Sequence, residues 1–505
     1  MVMRFYVTTP IYYVNSTPHI GNAYTTIAAD ILARHHRQRG DETFFLTGVD
    51  EHADKVARVA AEQGLEPQEY ADRIVGIWQE LPRRLNATND FFIRTSDEGH
   101  KRFVQEFLQR IYDKGDVYQD VYAGLYCYGC EEFKTEAELV DGKCAEHGTV
   151  PEWIEEKNWF FRLSAYQDRL LRLYDERPDF VLPNFRYNEA RSFIEGGLRD
   201  FSISRATQTW GIPIPWDPDQ VAYVWADALV NYRSALSYAP RENLERFWPD
   251  VRHLLAKDIL RFHCVYWPAL LIAAGYDPPK QLFVHGYLNI DDRKISKSLG
   301  NVIDPLDLID DFGSDAVRFW CARAVQFGQD GNVTLDSFRE RYERDLANDL
   351  GNLVSRTTAM IARYRGGSIE QTDAAPPWDA DALRNQLVVT LDRFDITSAL
   401  EEIWQLVRRL NQYVEESAPW QLAKDEARAA ELTGVLYNLA DGLTAIAVAV
   451  APYLPENAPR ILKALGQPAD DLSLDRIRRG TAAPAEGIEP APPLFPRIEL
   501  PTAAQ

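Results

Sequence analysis

Residues 4–50 read RFYVTTPIYYVNSTPHIGNAYTTIAADILARHHRQRGDETFFLTGVD, and the pattern inside this stretch decides the fold. RFYVTT is rich in aromatic and β-branched residues and reads as a strand. Asn15, Ser16 and Pro18 mark a loop. Apolar residues then recur at helical spacing over residues 23–38, Gly40 breaks the helix, and ETFFLTGVD follows as a second strand. Strand, helix and strand in this order form a βαβ unit with parallel strands, which turns the start of the helix toward the carboxyl edge of the sheet.

Helical periodicity resumes after His52 and again over residues 98–114. The segment 117–150 then turns to short strands, Gly and Cys, which marks an insertion. Sheet-like sequence returns at VAYVWADALV, HLLAKDILRFH and QLFVHGYLNI, so the first domain is expected to be split and completed after the insertion. From about residue 339 onward strand signals nearly vanish. LGNLVSRTTAMIARY, TSALEEIWQLVRRLNQYVEE and ELTGVLYNLADGLTAIAVAVAPYL predict a helix bundle, and the Pro-rich TAAPAEGIEPAPPLFPRIEL predicts an extended tail over the surface.

A chain of 505 residues with 46% hydrophobic and 26% charged residues is an ordinary folded protein of about three domains. MVMRFYVTTP reads as a strand and not as a secretion signal. The longest apolar run, 443–451, falls short of the roughly 20 residues a membrane span needs. No membrane segment and a cytoplasmic location are the expectations. A net charge of −21 excludes a nonspecific polyanion binder, so any nucleic-acid partner must meet a local basic patch. Five cysteines do not make a disulfide framework.

Three of those cysteines fall in Cys127-x₂-Cys130-x₁₃-Cys144-x₂-His147, four soft ligands in two close pairs, the requirement of a tetrahedral structural zinc site. With no position open to water, the expected Zn2+ is structural and folds the insertion.

Two further constellations carry chemistry. Pro18-His19-Ile20-Gly21-Asn22 opens the first helix, where backbone N–H groups attract phosphate. Lys294-Ile295-Ser296-Lys297-Ser298 follows the last sheet strand and offers two ammonium groups and two hydroxyls to a triphosphate. The pair resembles the two signatures of class I aminoacyl-tRNA synthetases, and TTPIYYVN, TGVDEHADK, YVWADAL, HLLAKDILRFH and VYWPAL are similar to active-site segments of the methionine-specific members, from Phe5 to the Pro-rich tail.

That resemblance implies a Rossmann-like parallel-sheet α/β catalytic domain with a zinc-binding insertion, followed by an all-α anticodon-binding helix bundle. The expected division is 1–116 and 221–303 for the catalytic halves, 117–220 for the insertion, 304–350 for a connecting module, 351–480 for the bundle and 481–505 for the tail. It implies ATP-dependent activation of methionine and transfer to tRNA(Met), including initiator tRNA, with Mg2+ accompanying ATP. His19, Asn22, Lys294 and Lys297 would be catalytic, and with Gly21, Asp258 and Ser296 would bind ATP. Asp50 would hold the methionine ammonium, and Arg205 would support the adenylate. Ile11, Tyr13, Trp225 and Ala228, with Tyr232, Ile259 and His263, would line the side-chain pocket. Tyr13 and Tyr232 are the expected polar contacts to sulfur, since a thioether suits aromatic faces and weak donors. Asn352 and Arg356, four apart on one helix face, and Trp420 match the readers of the anticodon. No further small barrel follows the bundle, so a monomer is expected.

The sequence departs from the family pattern at Asn22, where a second histidine is usual, and at Ala53 and Ala256, where glycines are usual. Two alternatives remain open on the residues: a class I enzyme for leucine, valine, isoleucine or cysteine, and a noncatalytic tRNA-binding relative. Retention of His19, Asp50, Lys294 and Lys297 speaks against the second.

Overall fold

The computed structural model describes residues 3–128, 132–145, 148–290, 293–294 and 303–496. Strand β1 (Arg4–Tyr13) leads through a loop into helix α1 (Ile20–Gln38), which returns to β2 (Glu42–Asp50). Two helices, Asp54–Glu62 and Pro67–Arg84, precede β3 (Phe91–Arg94) and α2 (Glu98–Asp113). Inside the stretch 117–220 expected as insertion lies β4 (Val181–Leu182), a strand of the main sheet, and after that stretch come the short helices α3 (Val224–Ala228) and α4 (Asn231–Tyr238), then β5 (Val251–Ala256) and β6 (Gln281–His285). The six strands form one sheet in the order β3-β2-β1-β5-β6-β4, parallel throughout. Phe5, Tyr6, Val7 and Thr8 are all buried, the continuous burial that a parallel sheet covered on both faces demands.

Within 117–220, strands Val117–Cys127 and Glu152–Phe161 pair antiparallel and extend to Glu132–Lys134 and Phe201–Ser202. The expectation that VAYVWADALV belongs to the main sheet is not met. Val221 and Ala222 end a strand of a separate three-stranded antiparallel sheet, and Val224–Ala228 is helix. A short apolar run buried on every side has no period to separate strand from helix. HLLAKDILRFH does complete the main sheet: it is strand to Ala256 and then winds through helical turns into Trp267–Ala274.

Helix α5 (Ser314–Ala324) packs on α1 and leads into the bundle, whose main members are α6 (Asn352–Arg365), α7 (Ile396–Ser417) and α8 (Ala429–Val450). From Leu432 to Val450, α8 is buried on almost every face. The helical stretch Glu426–Val450 is long and apolar enough to cross a membrane, but 94% of its apolar window lies inside the fold, as befits the core helix of a bundle. Through Pro496 the Pro-rich tail is extended and is held to the bundle. Ile488 N–H donates to Gly367 O at 3.0 Å, Ala491 N–H to Thr358 Oγ1 at 3.0 Å, and Leu494 and Phe495 are buried.

Candidate functional site

A cavity of about 380 Å³ opens at the carboxyl ends of β1, β2, β5 and β6, where chain order reverses on the two sides of β1. Ile11 and Tyr13 reach it from β1, His19, Gly21 and Asn22 from the start of α1, and Asp50 from the end of β2. Trp225 and Ala228 come from α3, Tyr232 from α4, and Asp258, Ile259 and His263 from the turns after β5. Segments more than 200 residues apart therefore meet in one hollow.

At one end of the cavity, His19 caps α1. Its Nδ1 accepts from Gly21 N–H at 3.0 Å, and Asn22 Oδ1 accepts from His19 N–H at 3.0 Å, a reciprocal capping box. The imidazole lies over Gly21, where an added Cβ would sit 2.9 Å from His19 Cε1, so glycine is required for this ring position. Because the Asn22 carbonyl oxygen serves the cap, its amide hydrogens are the part that can donate to a ligand. The first turn of α1 carries no acidic residue, which leaves the positive end of the helix dipole unopposed.

At the other end the wall is aromatic. Trp225 stacks on Phe262 with centroids 3.9 Å apart and planes 6° from parallel. His263 Nδ1 lies 3.0 Å from Ile259 O and so carries the ring hydrogen, while Nε2 accepts from the Tyr232 hydroxyl at 2.7 Å. Burial pushes His263 down to about 4, which keeps it neutral in this role. The Tyr232 hydrogen is thus committed to His263, and only its oxygen lone pairs face outward. Asp50 is buried, and its Oδ1 accepts from His52 N–H at 3.2 Å.

Other expected residues stand elsewhere. Arg205 does not line the cavity. It is buried in the insertion, with Nε and Nη2 holding Glu156 at 2.9 and 3.1 Å and Nη1 buried without a hydrogen-bond partner among the described residues. Lys294 pairs through its backbone with Asn289, and Ser296 and Lys297 lie outside the described residues. So do Cys130 and His147. Cys127 and Cys144 are both buried and converge on Thr149: Cys127 Sγ is 3.9 Å from its hydroxyl, and Cys144 N–H donates to its carbonyl at 2.8 Å. Thiols are soft ligands of the kind zinc takes, but among the described residues no group of three potential metal ligands comes together. In the bundle, Asn352 is exposed, Arg356 Nη2 pairs with Glu415 at 2.7 Å, and Trp420 is half-buried five residues further on.

Sequence reasoning missed several lining residues. Lys55 projects from the first turn after His52, inside the TGVDEHADK segment, and lies 5.2 Å from the Tyr13 ring centroid. His285 lies at the end of β6, with Nε2 2.8 Å from Thr25 Oγ1 and Nδ1 2.8 Å from Gly286 O, and burial lowers its pKa. Its place beside Gly286 in QLFVHGYLNI, at the carboxyl end of a sheet strand, was the available signal.

The parallel sheet, the capped helix start at the switch point and the trailing helix bundle agree with a class I aminoacyl-tRNA synthetase, the class that the family model assigns. The family model for class I (M) tRNA synthetases matches residues 5–149 and 134–358, and that for the anticodon-binding domain of methionyl tRNA ligase matches 365–499. The methionine–tRNA ligase of Caldanaerobacter subterraneus subsp. tengcongensis is 43% identical over 99% of this chain and 80% of its own length. The Mycobacterium tuberculosis methionyl-tRNA synthetase in complex with methionyl-adenylate superposes with a TM-score of 0.93 at 40% identity, covering 98% of this chain and 100% of that one. The apo form of the same enzyme gives 0.86 at 37% identity, covering 99% of each chain. The chain belongs to the methionine–tRNA ligase family.

Proposed function

We infer that the chain joins methionine to tRNA(Met) in two steps at the cavity described above. The observation that carries this reading is the meeting of a buried carboxylate, an aromatic pocket and a capped helix start in one hollow. Asp50 takes the methionine ammonium, and the thioether lies between Trp225, Tyr232, Ile259 and His263, with Ile11, Tyr13 and Ala228 closing the wall. The α-phosphate of ATP sits at His19, Gly21 and Asn22, and Asp258 reaches the ribose. Lys294, Ser296 and Lys297 hold the triphosphate. The methionine carboxylate attacks the α-phosphorus and pyrophosphate leaves, a transfer that relies on positioning and on donors aimed at the developing charge. Mg2+ would neutralise phosphate charge when ATP is bound.

A role for Arg205 toward the adenylate rests on the family resemblance alone, since its guanidinium is held on Glu156 and lies outside the cavity lining. The hydroxyl of the terminal adenosine of tRNA, at the 2′ position by class I analogy, then attacks the methionyl carbonyl and AMP leaves. Cys127, Cys130, Cys144 and His147 would hold structural Zn2+ that shapes the insertion for the acceptor end. Asn352, Arg356 and Trp420 read the anticodon, initiator tRNA included. We place the protein in the cytoplasm as a monomer.

The test is amino-acid-dependent pyrophosphate exchange with methionine beside leucine, valine, isoleucine and cysteine. Exchange with methionine alone is expected. Exchange with another amino acid overturns the pocket assignment, and no exchange in the folded, zinc-loaded protein favours a noncatalytic tRNA-binding relative.

A further inference from the structure

Behind the cavity wall runs a buried polar chain that no substrate contact explains. Asp227 lies on α3 between the lining residues Trp225 and Ala228 and is fully buried. Its Oδ2 is 2.6 Å from His52 Nδ1, and its Oδ1 is 2.6 Å from His100 Nε2 on α2. His100 Nδ1 continues to Ser234 Oγ on α4 at 2.7 Å. His52, His100 and Ser234 are buried as well.

A carboxylate taken out of water this completely survives as an anion only if both oxygens are met by donors. Burial acts to raise the Asp227 carboxyl, but the two imidazoles outweigh it and hold the group at about 2. Each ring must therefore turn a hydrogen toward Asp227, which fixes both ring orientations. His52 is further confined by Trp210, whose ring meets it edge-on at 5.1 Å. The backbone N–H of that same His52 donates to Asp50 Oδ1 at 3.2 Å. The orientation of the Asp50 carboxylate is thus tied through His52 to an anion that never touches the cavity.

We propose that the His52–Asp227–His100 chain is a positioning device for Asp50, aiming its carboxylate at the methionine ammonium so that Asp227 governs methionine binding without contacting substrate. This rests on the reading of Asp50 as the ammonium partner. The position of one carboxylate relative to one ammonium is what the chain controls, and the ATP end of the cavity lies outside its reach.

The experiment measures KM for methionine and for ATP in pyrophosphate exchange with full-length protein, together with the inhibition constant of the desamino analogue 4-(methylthio)butanoate. In Asp227→Asn the amide cannot accept from both imidazoles, and one buried donor loses its partner. The methionine KM should rise roughly 10-fold, the equivalent of about 1.4 kcal/mol lost from an ammonium contact to a carboxylate no longer held in place. The ATP KM and the desamino inhibition constant should stay near wild type. A methionine KM that does not move overturns the proposal, and so does equal weakening of the desamino analogue, which would mean general loss of the pocket. If Asp227→Asn fails to fold, His100→Asn, which lacks the nitrogen facing Asp227, must raise the methionine KM alone, and an unchanged value overturns the proposal. Asp50→Asn separates the two levels: if it leaves the methionine KM unchanged, the ammonium reading falls and this proposal with it. If it weakens methionine while Asp227→Asn does not, only this proposal falls.

Discussion

Arg318 Nη2 donates to Asp30 Oδ2 at 2.7 Å in a fully buried ion pair, and the rest of the guanidinium gathers three backbone carbonyls. Nη2 also reaches Pro452 O at 2.6 Å, Nη1 reaches Leu85 O at 3.0 Å, and Nε reaches Tyr453 O at 3.2 Å. Asp30 belongs to α1, whose first residues line the cavity, and Pro452 and Tyr453 follow α8 of the bundle. One arginine on α5 therefore fastens the sheet's first helix to the helical domain. Removing the carboxylate leaves a buried cation without its counter-ion, a change that typically costs about 3–5 kcal/mol. Asp30→Ala should lower the unfolding free energy in urea by that amount, and a loss below about 1 kcal/mol, the level of a surface pair, would contradict the assigned role.

The glycine of the first signature is a second point of leverage. A methyl group at residue 21 would stand 2.9 Å from His19 Cε1, so Gly21→Ala must push the imidazole off the helix start. Displacing a positioned group by about 1 Å can cost on the order of 100-fold in rate. Pyrophosphate exchange should fall by about two orders of magnitude while the unfolding free energy drops by only about 1 kcal/mol, the value of a lost cap. Unchanged exchange would show that His19 does not act from this position.

These two sites differ in how much of them could be read beforehand. ETFFLTGVD was legible to the residue as Glu42–Asp50, because a turn precedes it and its centre, Thr43 to Thr47 with Val49, is aromatic, aliphatic and β-branched. The capping role of Asn22 was hidden, since the motif shows a missing charge and the turn of its carbonyl back to His19 is a feature of the folded chain. Arg205 illustrates the harder limit. Its partner Glu156 lies 49 residues away on another strand, and no local pattern announces the pair. The same holds for Asp227, which meets His52 and His100 across 175 and 127 residues. Period and motif report what a segment is, and tertiary packing decides what its side chains face.

Acid should weaken the protein through its buried histidines. His263 is held at about 4 against a usual 6.5, so below pH 6.5 the unfolded chain binds a proton that the folded state refuses. Stability from this group is whole above pH 6.5 and is lost as pH falls toward 4. His35, His36, His253 and His285, all lowered by burial, act in the same sense. Asp315, raised by burial to about 6, opposes them between pH 6 and its usual 3.8. His263→Asn should therefore flatten the pH dependence of the unfolding free energy between pH 6.5 and 4.5 by up to about 1.4 kcal/mol per pH unit, one proton's worth. An unchanged slope in urea titrations at stepped pH would refute the neutral assignment.

The zinc assignment is open to direct assay. Elemental analysis of purified protein should find about one zinc per chain, and Cys144→Ser should bring this close to zero, because three remaining ligands do not close a tetrahedral structural site. Cys144 is buried on the turn with Thr149, so loss of metal should also loosen the insertion, seen as faster amide exchange over 117–161 with the main sheet unaffected. Wild-type protein that holds no zinc would remove the assignment.

The bundle offers the cleanest separation of the two half-reactions. Trp420 is half-buried against the hydrophobic core, follows Pro419 at a helix start and lies five residues beyond Glu415, the partner of Arg356. An indole in that setting is rigid, and a base stacked on it is worth about 1–3 kcal/mol. Trp420→Ala should raise the KM for tRNA(Met) roughly 5- to 150-fold, the equivalent of that loss. Methionine-dependent pyrophosphate exchange takes place in the catalytic cavity without tRNA and should stay at the wild-type level. Parallel loss of both activities would mean that the indole serves only to pack the bundle. Loss of charging alone places it against the anticodon.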